Sequence, residues 1–273
     1  MVVVKEIKVK SVLSKSQIYD VDYSINPYIG CEHACIYCFA RHFCRKFDVR
    51  DNWGKLVYVK INAPRILKRE VKKACRGVVL MSSITDPYQP IERRYEISRR
   101  LLEILAKTKL SVIIMTKSNL VTRDIDIIKE LSNVEVGVTI TTSDENISRL
   151  IEPQAPTTSH RIEAISKLTD HEIKTFVFMG PFIPIVSEIG VDSLISELKS
   201  IGVSRVVIDT LNIKRTNLVE LLKVLEKVLS MREIETLNSL LSDKRLYKVY
   251  YWKVRRWMMA LSKRYKVAVD FAY

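Results

Sequence analysis

The feature that most restricts how this chain can fold is a rhythm of short β-branched runs, each followed by an amphipathic stretch. "GVVLMSSITDP" (Gly77 to Pro87) holds the continuous apolar run Val78, Val79, Leu80, Met81 and then a polar loop. That composition reads as a strand buried on both faces and its exit. "ERRYEISRRLLEILAKTK" follows, with Ile97, Leu101, Ile104 and Leu105 at helical spacing and Arg93, Arg94, Arg99 and Arg100 largely outside that stripe. The unit recurs in "LSVIIMTKS" and "TRDIDIIKELSN", whose helix should begin near Thr122 or Asp124. It recurs again in "VEVGVTITTS" and "TSHRIEAISKLT", with Thr158 or Ser159 as N-cap candidates. "IKTFVFMGPF" precedes "VDSLISELKSIG", closed by Gly202 as a C-cap, and "SRVVIDTLN" precedes "NLVELLKVLEKVLSM". Alternation of fully apolar strands with helices implies an α/β fold whose parallel sheet is covered by helices. Five or six such units in about 200 residues point to a full or partial (β/α) TIM-type barrel of six parallel strands, ahead of an open doubly wound sheet.

At 273 residues and 47% apolar content, the chain has the length and core for one such barrel. The expected organisation is a barrel over residues 1–235, with a cysteine-bearing loop at 25–41, and a basic C-terminal helical extension over 236–273 packed on it. No apolar run approaches the ~20 residues a membrane span needs, and the opening Met-Val-Val-Val-Lys-Glu has no signal-peptide pattern, so a cytoplasmic location is expected. Both architectures put chemistry at the carboxyl ends of the strands. The polar stretches gather there: "SSITDPYQP", "TKS", "TTSDEN" and "GPFIP".

Three of the five cysteines, Cys31, Cys35 and Cys38, form C-x3-C-x2-C in "INPYIGCEHACIYCFAR". Gly30 and Pro27 mark the segment as a loop, and the odd cysteine count fits a reducing compartment better than a disulfide framework. Converging thiolates are soft ligands that select zinc or an iron–sulfur cluster. A structural zinc wants a fourth ligand. Cys44 is a candidate for it, His42 another, and His33 is poorly placed to bend back onto the same ion. Three thiolates on a four-iron cluster would instead leave one iron open to a small molecule.

C-x3-C-x2-C with an aromatic, Tyr37, before the last cysteine resembles the cluster loop of the radical S-adenosylmethionine enzymes. Together with "TDPYQPIERRY", "TKS" and "EPQAPTTSHR" in that order, it is similar to the spore photoproduct lyase-like branch over roughly Tyr23 to Pro184. The resemblance implies a 4Fe-4S cluster on Cys31, Cys35 and Cys38. It also implies S-adenosylmethionine chelated at the open iron, and a one-electron reductant of flavodoxin or ferredoxin type. Cleavage would give a 5′-deoxyadenosyl radical that abstracts hydrogen from a substrate, with the protein orienting and shielding the cofactor. On this reading Tyr37 lies at the cofactor, Thr85 and Asp86 serve the amine and ribose, Lys117 the methionyl carboxylate, and Thr141 or Thr142 the ribose. Arg161 is a weaker carboxylate candidate, better read as a helix-surface charge.

Two departures from the lyase pattern are visible. Ser83 stands where the lyase has a hydrogen-donating cysteine, and Phe39 follows the last cluster cysteine where tyrosine is common. The first argues against thymine-dimer reversal unless Cys75 or Cys44 replaces the donor, and Cys75 reads as a buried or idle thiol.

The net charge of +14, from 45 Lys and Arg against 31 Asp and Glu, favours a polyanionic partner. Between Lys244 and Val269 there are nine Lys and Arg and no acidic residue. Leu246, Tyr250, Val254, Trp257 and Leu261 form a helical core stripe there. Lys253, Arg255 and Arg256 could then contact DNA or RNA phosphates, with Tyr247, Tyr251 or Trp252 stacking on bases. The competing expectations are a non-enzymatic, zinc-stabilised nucleic-acid-binding protein using Cys44 as fourth ligand, and a radical enzyme acting on a protein or small molecule.

Overall fold

The computed structural model describes residues 2–44, 47–74, 76–214 and 216–273, so Cys75 lies outside the described residues. Its strands are β1 (Val3–Ile7), β2 (Ser14–Lys15), β3 (Tyr23–Ile25), β4 (Tyr28–Ile29), β5 (Leu56–Lys60), β6 (Val78–Met81), β7 (Ser111–Thr116), β8 (Val134–Thr139), β9 (Thr175–Phe182), β10 (Arg205–Thr210) and β11 (Ala268–Phe271). The helices are α1 (Ala63–Glu70), α2 (Glu92–Tyr95), α3 (Ile97–Leu105), α4 (Ile125–Ile128), α5 (Glu145–Ile151), α6 (Thr158–Asp170), α7 (Val191–Ile201), α8 (Leu218–Leu225), α9 (Met231–Ser242) and α10 (Lys244–Tyr265).

The main sheet has eight strands in the order β11-β10-β9-β8-β7-β6-β3-β2. From β3 through β11 every neighbouring pair is parallel, and only β2 runs antiparallel, against β3. The fold is therefore α/β with a mostly parallel sheet, a partial TIM barrel that stays open: among the described residues β2 and β11 do not pair. The six parallel strands that alternation implies are joined by a seventh, β11, which returns from α10 to pair with β10 from Arg205↔Ala268 to Ile208↔Phe271. Residue 236 falls within α9.

The apolar strand residues and the inner helix stripes share one core, from Ile25 and Val79 through Val112, Val136 and Val177 to Val206. Local chemistry sets the ends. Gly202 closes α7 at φ +87°, a left-handed turn that costs glycine little. The N-cap of α6 is Thr157, whose hydroxyl accepts from the His160 amide, one residue before the nearer of the two candidates. "TRDIDIIKELSN" yields only the short α4 after a 3-10 turn. In α10 the buried side chains are Tyr251, Val254, Met258 and Leu261, while Leu246 is exposed. The inward stripe is thus rotated from the one periodicity suggests, and Tyr251, fully engaged in packing, is not a base-stacking surface.

A second, three-stranded sheet, β1-β5-β4, stands beside the main one. Its β4 leads into the cysteine loop, and β5 backs it through Leu56 within a cluster of Cys31, Ala40, Cys44, Val49 and Trp53. From the other side α8 and α9 close on the same loop, since Leu221, Leu225, Leu237 and Leu241 pack with Cys35 and Tyr37. The loop is thereby wedged between two apolar clusters. No helix among the described residues is long and apolar enough to cross a membrane.

Candidate functional site

The chain leaves β4 through Gly30, at φ +88°, where a Cβ would stand 2.6 Å from the Leu56 carbonyl oxygen. Only glycine accepts both the torsion and the close approach, and the turn delivers Cys31 inward. Cys31 and Cys35 are buried and Cys38 is partly exposed, all as free thiols. Trp53 Nε1 donates to the Cys35 carbonyl at 3.2 Å. The loop after β6 is laced to this one. Thr85 Oγ1 donates to the Gly30 carbonyl at 2.6 Å, Gln89 Nε2 donates to Thr85 Oγ1 at 3.0 Å, and Gln89 Oε1 accepts from the Glu32 amide at 2.9 Å.

Asp86 is the knot of that lacing. Its Oδ1 accepts from the Thr116 hydroxyl at 2.7 Å and the Tyr88 amide at 2.8 Å, and its Oδ2 from the Lys117 amide at 2.8 Å. His33 Nδ1 lies 3.3 Å from Oδ2, so the carboxylate joins the cysteine loop to the ends of β6 and β7. Burial pushes the Asp86 carboxyl up, but His33 and the donated hydrogen bonds more than offset it and hold the group at about 2. Ser83 Oγ accepts from Asn26 Nδ2 at 3.1 Å.

Behind Cys35 and Cys38 lies a second carboxylate, Glu152, at the end of α5 and 2% exposed. It accepts from the Tyr37 hydroxyl and from the Thr141 hydroxyl, the latter at 3.1 Å, and it pairs with the Arg161 guanidinium. Lys117 Nζ sits 3.9 Å from it and 5.6 Å from the centroid of the Tyr37 ring. Arg161 is 1% exposed, with Nε donating to the Pro156 carbonyl at 2.8 Å and Nη1 to the Thr139 carbonyl at 3.0 Å. It is a buried ion-pair partner, not a helix-surface charge. Tyr37, Lys117, Thr141 and Arg161 therefore meet around one carboxylate. Thr142 does not join them: its hydroxyl donates to the Val186 carbonyl at 3.1 Å and accepts from the Asp144 amide at 3.2 Å.

Electrostatics tie this group to the thiols. Burial pushes the Cys35 thiol up to about 12; Glu152 and Cys38 add to the rise, and Lys117 and Arg161 oppose it. Cys31 is raised by burial and then by Asp86, Cys35 and Cys38, and Cys38 is raised by burial against the pull of Lys117. Burial alone would lower Lys117, but Cys35 and Glu152 outweigh it and hold the ammonium above its ordinary value. Three neighbouring thiols whose ionisation burial and nearby negative charge oppose become thiolates only around a cationic centre. Soft sulfur donors on one glycine-turned loop, backed by two cations, fit an iron–sulfur cluster. Among the described residues no three His, Cys, Asp or Glu side chains are gathered so as to hold a single metal ion.

Residues 25–198, which span the cysteine loop and the strands through β9, match the family model of the Radical SAM superfamily. The chain belongs to the radical SAM superfamily. It is 39% identical over 194 residues to an uncharacterized protein of Methanocaldococcus jannaschii, covering 71% of this chain and 72% of that one. A Radical SAM Nalpha-GlyT isomerase of Pseudomonas phage M6 is 22% identical over 185 residues, covering 67% of this chain but 38% of the phage protein. Among solved structures, a spore photoproduct lyase variant with bound S-adenosylmethionine and dinucleoside spore photoproduct superposes with a TM-score of 0.72 at 14% identity, over 100% of this chain and 82% of that one. At that identity the likeness is one of fold: the same partial barrel, carried by a radical SAM enzyme.

Sequence reasoning missed Glu152, although it opens the "EPQAPTTSHR" stretch that carries part of the family resemblance. A signal for Arg161 was present, because it shares a helical face with Ala164, Ile165 and Leu168, all buried. At the basic tail, Tyr247 donates to the Leu211 carbonyl and Tyr251 Oη donates to the Phe182 carbonyl at 2.5 Å, which fixes α10 at the carboxyl ends of β9 and β10. Lys253, Arg255 and Arg256 are exposed on its outer side. The Arg255 guanidinium lies 4.6 Å from the Phe271 ring centroid and that of Arg256 4.8 Å from Trp252, which is 55% exposed.

Proposed function

We propose that this radical SAM enzyme reductively cleaves S-adenosylmethionine at a 4Fe-4S cluster held by Cys31, Cys35 and Cys38, and takes a hydrogen atom from a nucleic-acid substrate. When bound, the cluster supplies one electron to the sulfonium, releasing methionine and a 5′-deoxyadenosyl radical. The observation that carries the reading is the charged group behind the thiols. Lys117 and Arg161 share one buried carboxylate, Glu152, leaving a net positive charge beside Cys35 and Cys38. Lys117, partly exposed where Arg161 is sealed, is the cation we assign to the methionyl carboxylate. Glu152 fixes the lysine and the Tyr37 hydroxyl, and Arg161 holds Glu152 ionised. Thr141, bonded to Tyr37 at 3.0 Å and to Glu152 at 3.1 Å, is the hydroxyl we assign to the ribose. Asp86 and Thr85, whose polar atoms are spent on the loops, act by holding the cysteine loop in place.

Nucleic acid is favoured over a protein or small molecule by the net charge of +14 and by α10, whose exposed Lys253, Arg255, Arg256 and Trp252 stand at the carboxyl edge of the sheet. The test is isotope transfer. Reconstituted protein is reduced with dithionite in the presence of S-adenosylmethionine and uniformly deuterated DNA or RNA oligonucleotides. Deuterium in the 5′-deoxyadenosine is the expected result. Formation of 5′-deoxyadenosine without label from either polymer would overturn the substrate assignment. Reversing charge at Lys253, Arg255 and Arg256 should weaken oligonucleotide binding and flatten its salt dependence.

A further inference from the structure

The helices cover one face of the main sheet and leave the inner face of the partial barrel open. Val112, Ile114, Val177, Met179, Val206 and Ile208 point to the helices and are sealed in the core. Their alternate neighbours on the inner face, Met115, Phe178 and Val207, are only partly buried and stand outside the core clusters of the described residues. At the carboxyl end of that apolar floor stands Asp209, two residues beyond Val207 on the same face of β10. Leu211, two residues further on, packs with Cys35 and Tyr37 of the cysteine loop. Asp209 is partly exposed; its Oδ1 accepts from the Thr210 amide at 2.8 Å, and its Oδ2 accepts nothing among the described residues. Two other carboxylates of the sheet, Glu135 and Asp270, both pair with Arg205. Burial pushes the Asp209 carboxyl up with no cation to offset it, whereas Asp86 is held down by a full set of partners. A carboxylate withdrawn from water without donors of its own is completed when a ligand supplies them. An aromatic ring lies beside it. Met179 pairs with Ile208 and Phe182 with Thr210, which puts Gly180 and Pro181 opposite Asp209. The Phe178 ring lies across Gly180, where a Cβ would stand 2.0 Å from Cε1, so only glycine lets the ring reach the level of the carboxylate.

We propose that Asp209 and Phe178 form a base-reading pocket, in which a guanine of the nucleic-acid substrate stacks on the Phe178 ring and donates from N1 and its N2 amino group to the Asp209 carboxylate. The inference rests on the nucleic-acid reading of the substrate. Chemistry selects the base. An ionised carboxylate only accepts, and guanine is the standard base whose Watson–Crick edge offers two adjacent donors. Thymine flanks its N3–H with carbonyl oxygens, while adenine and cytosine set a ring-nitrogen lone pair beside the amino group. Each of these leaves a carboxylate oxygen facing an acceptor. Bases taken out of the stack are read in this way, by hydrogen bonds to that edge and stacking on a ring. The position agrees. Asp209 lies three strands from Lys117 in the order β10-β9-β8-β7, about 14 Å along the sheet, away from the cation assigned to the methionyl carboxylate. The helix α10, with its exposed Lys253, Arg255 and Arg256, is anchored beside the pocket. Its Tyr247 donates to the Leu211 carbonyl, and the Leu211 amide donates to Tyr251 Oη at 3.1 Å. Phosphates held by α10 bring a base to the carboxyl end of β10.

The test is binding of reconstituted protein to short, fluorescein-labelled single strands of DNA, read by anisotropy at fixed salt. The strands are all thymidine except at the centre, which is deoxyguanosine, deoxyinosine (guanine without its N2 amino group) or thymidine. We expect the wild type to bind the deoxyguanosine strand about tenfold tighter than either of the others, and Asp209→Asn to cut that preference to within about twofold. Phe178→Leu should weaken the deoxyguanosine strand by about fivefold or more. S-adenosylmethionine binding, measured by equilibrium dialysis on the same preparations, should be unchanged in Asp209→Asn. The comparison of deoxyguanosine with deoxyinosine uses the unaltered protein, so it decides even where a variant folds poorly. A wild type that binds the three strands alike, an Asp209→Asn protein that keeps the preference, or one that loses S-adenosylmethionine binding along with it overturns the assignment. Strands that bind alike, and are weakened alike by charge reversal on α10, remove the pocket and leave the nucleic-acid reading standing. No binding of any strand overturns that reading and the pocket with it.

Discussion

Replacing Glu152 with glutamine removes one charge from the group behind the cysteine loop while keeping its volume. The consequence can be worked from the structure. Arg161 is 1% exposed and has no other carboxylate partner among the described residues, so the variant leaves a guanidinium buried with carbonyls alone. Removing one member of a buried pair costs about 3–5 kcal/mol, because the remaining charge keeps its desolvation penalty. With a urea m-value of about 3 kcal/mol/M, the unfolding midpoint of iron-free protein should drop by roughly 1–1.7 M at pH 7. Adding Arg161→Gln should recover part of the loss, so that the double variant costs about 2 kcal/mol less than the sum of the singles. The pH dependence follows. Burial pushes Glu152 up, but Arg161, Lys117 and the Tyr37 hydrogen bond hold it at about 2. A carboxyl depressed in the folded state contributes its full stability above its unfolded value of about 4.3 and loses it as the pH falls through the folded one. The gap between wild type and Glu152→Gln should therefore be full above about pH 4.5 and close toward pH 2. A midpoint shift under about 0.3 M at pH 7, with no coupling to Arg161, would refute the reasoning.

Gly30→Ala places a Cβ 2.6 Å from the Leu56 carbonyl oxygen at φ +88°, and it should lose about 2 kcal/mol or more of stability and most of its iron loading, read by urea titration and iron analysis. Cys44→Ser should keep its iron, because Cys44 packs in the cluster beneath the loop, whereas Cys38→Ser should lose it. Asp86→Ala frees the Lys117 amide, the Thr116 hydroxyl and His33 at once, and should cost about 2–4 kcal/mol and lower iron retention.

The alternation of apolar strands with amphipathic helices was enough to reach a parallel sheet of six strands, because a strand buried on both faces leaves an unbroken run such as Val78 to Met81. β11 was not legible: Ala268–Phe271 is four residues long, and its pairing with β10 is set by where α10 leaves the chain rather than by pattern. The side sheet β1-β5-β4 was hidden for the same reason, since β1 is half exposed and β4 has two residues. In the site, the cysteine spacing is a local signal, and so is the placement of Asp86 and Lys117 at strand ends. Glu152 is not. It stands 11 residues after Thr141 and nine before Arg161, and only the packing of α5 against α6, and of α6 on β8, brings the three together. Charge pattern also misled at Arg161, because an arginine within a helical sequence is read as solvated unless its partner carboxylate is known.

The most direct test of the central claim is 5′-deoxyadenosine formation by the anaerobically reconstituted protein, measured together with its iron and sulfide content. The account predicts about four irons and four sulfides per chain, dithionite-dependent conversion of S-adenosylmethionine to 5′-deoxyadenosine and methionine, and loss of both in Cys31→Ala, Cys35→Ala and Cys38→Ala. One tightly bound zinc retained through reconstitution and dependent on Cys44, or a fully iron-loaded protein that leaves S-adenosylmethionine intact, would contradict it.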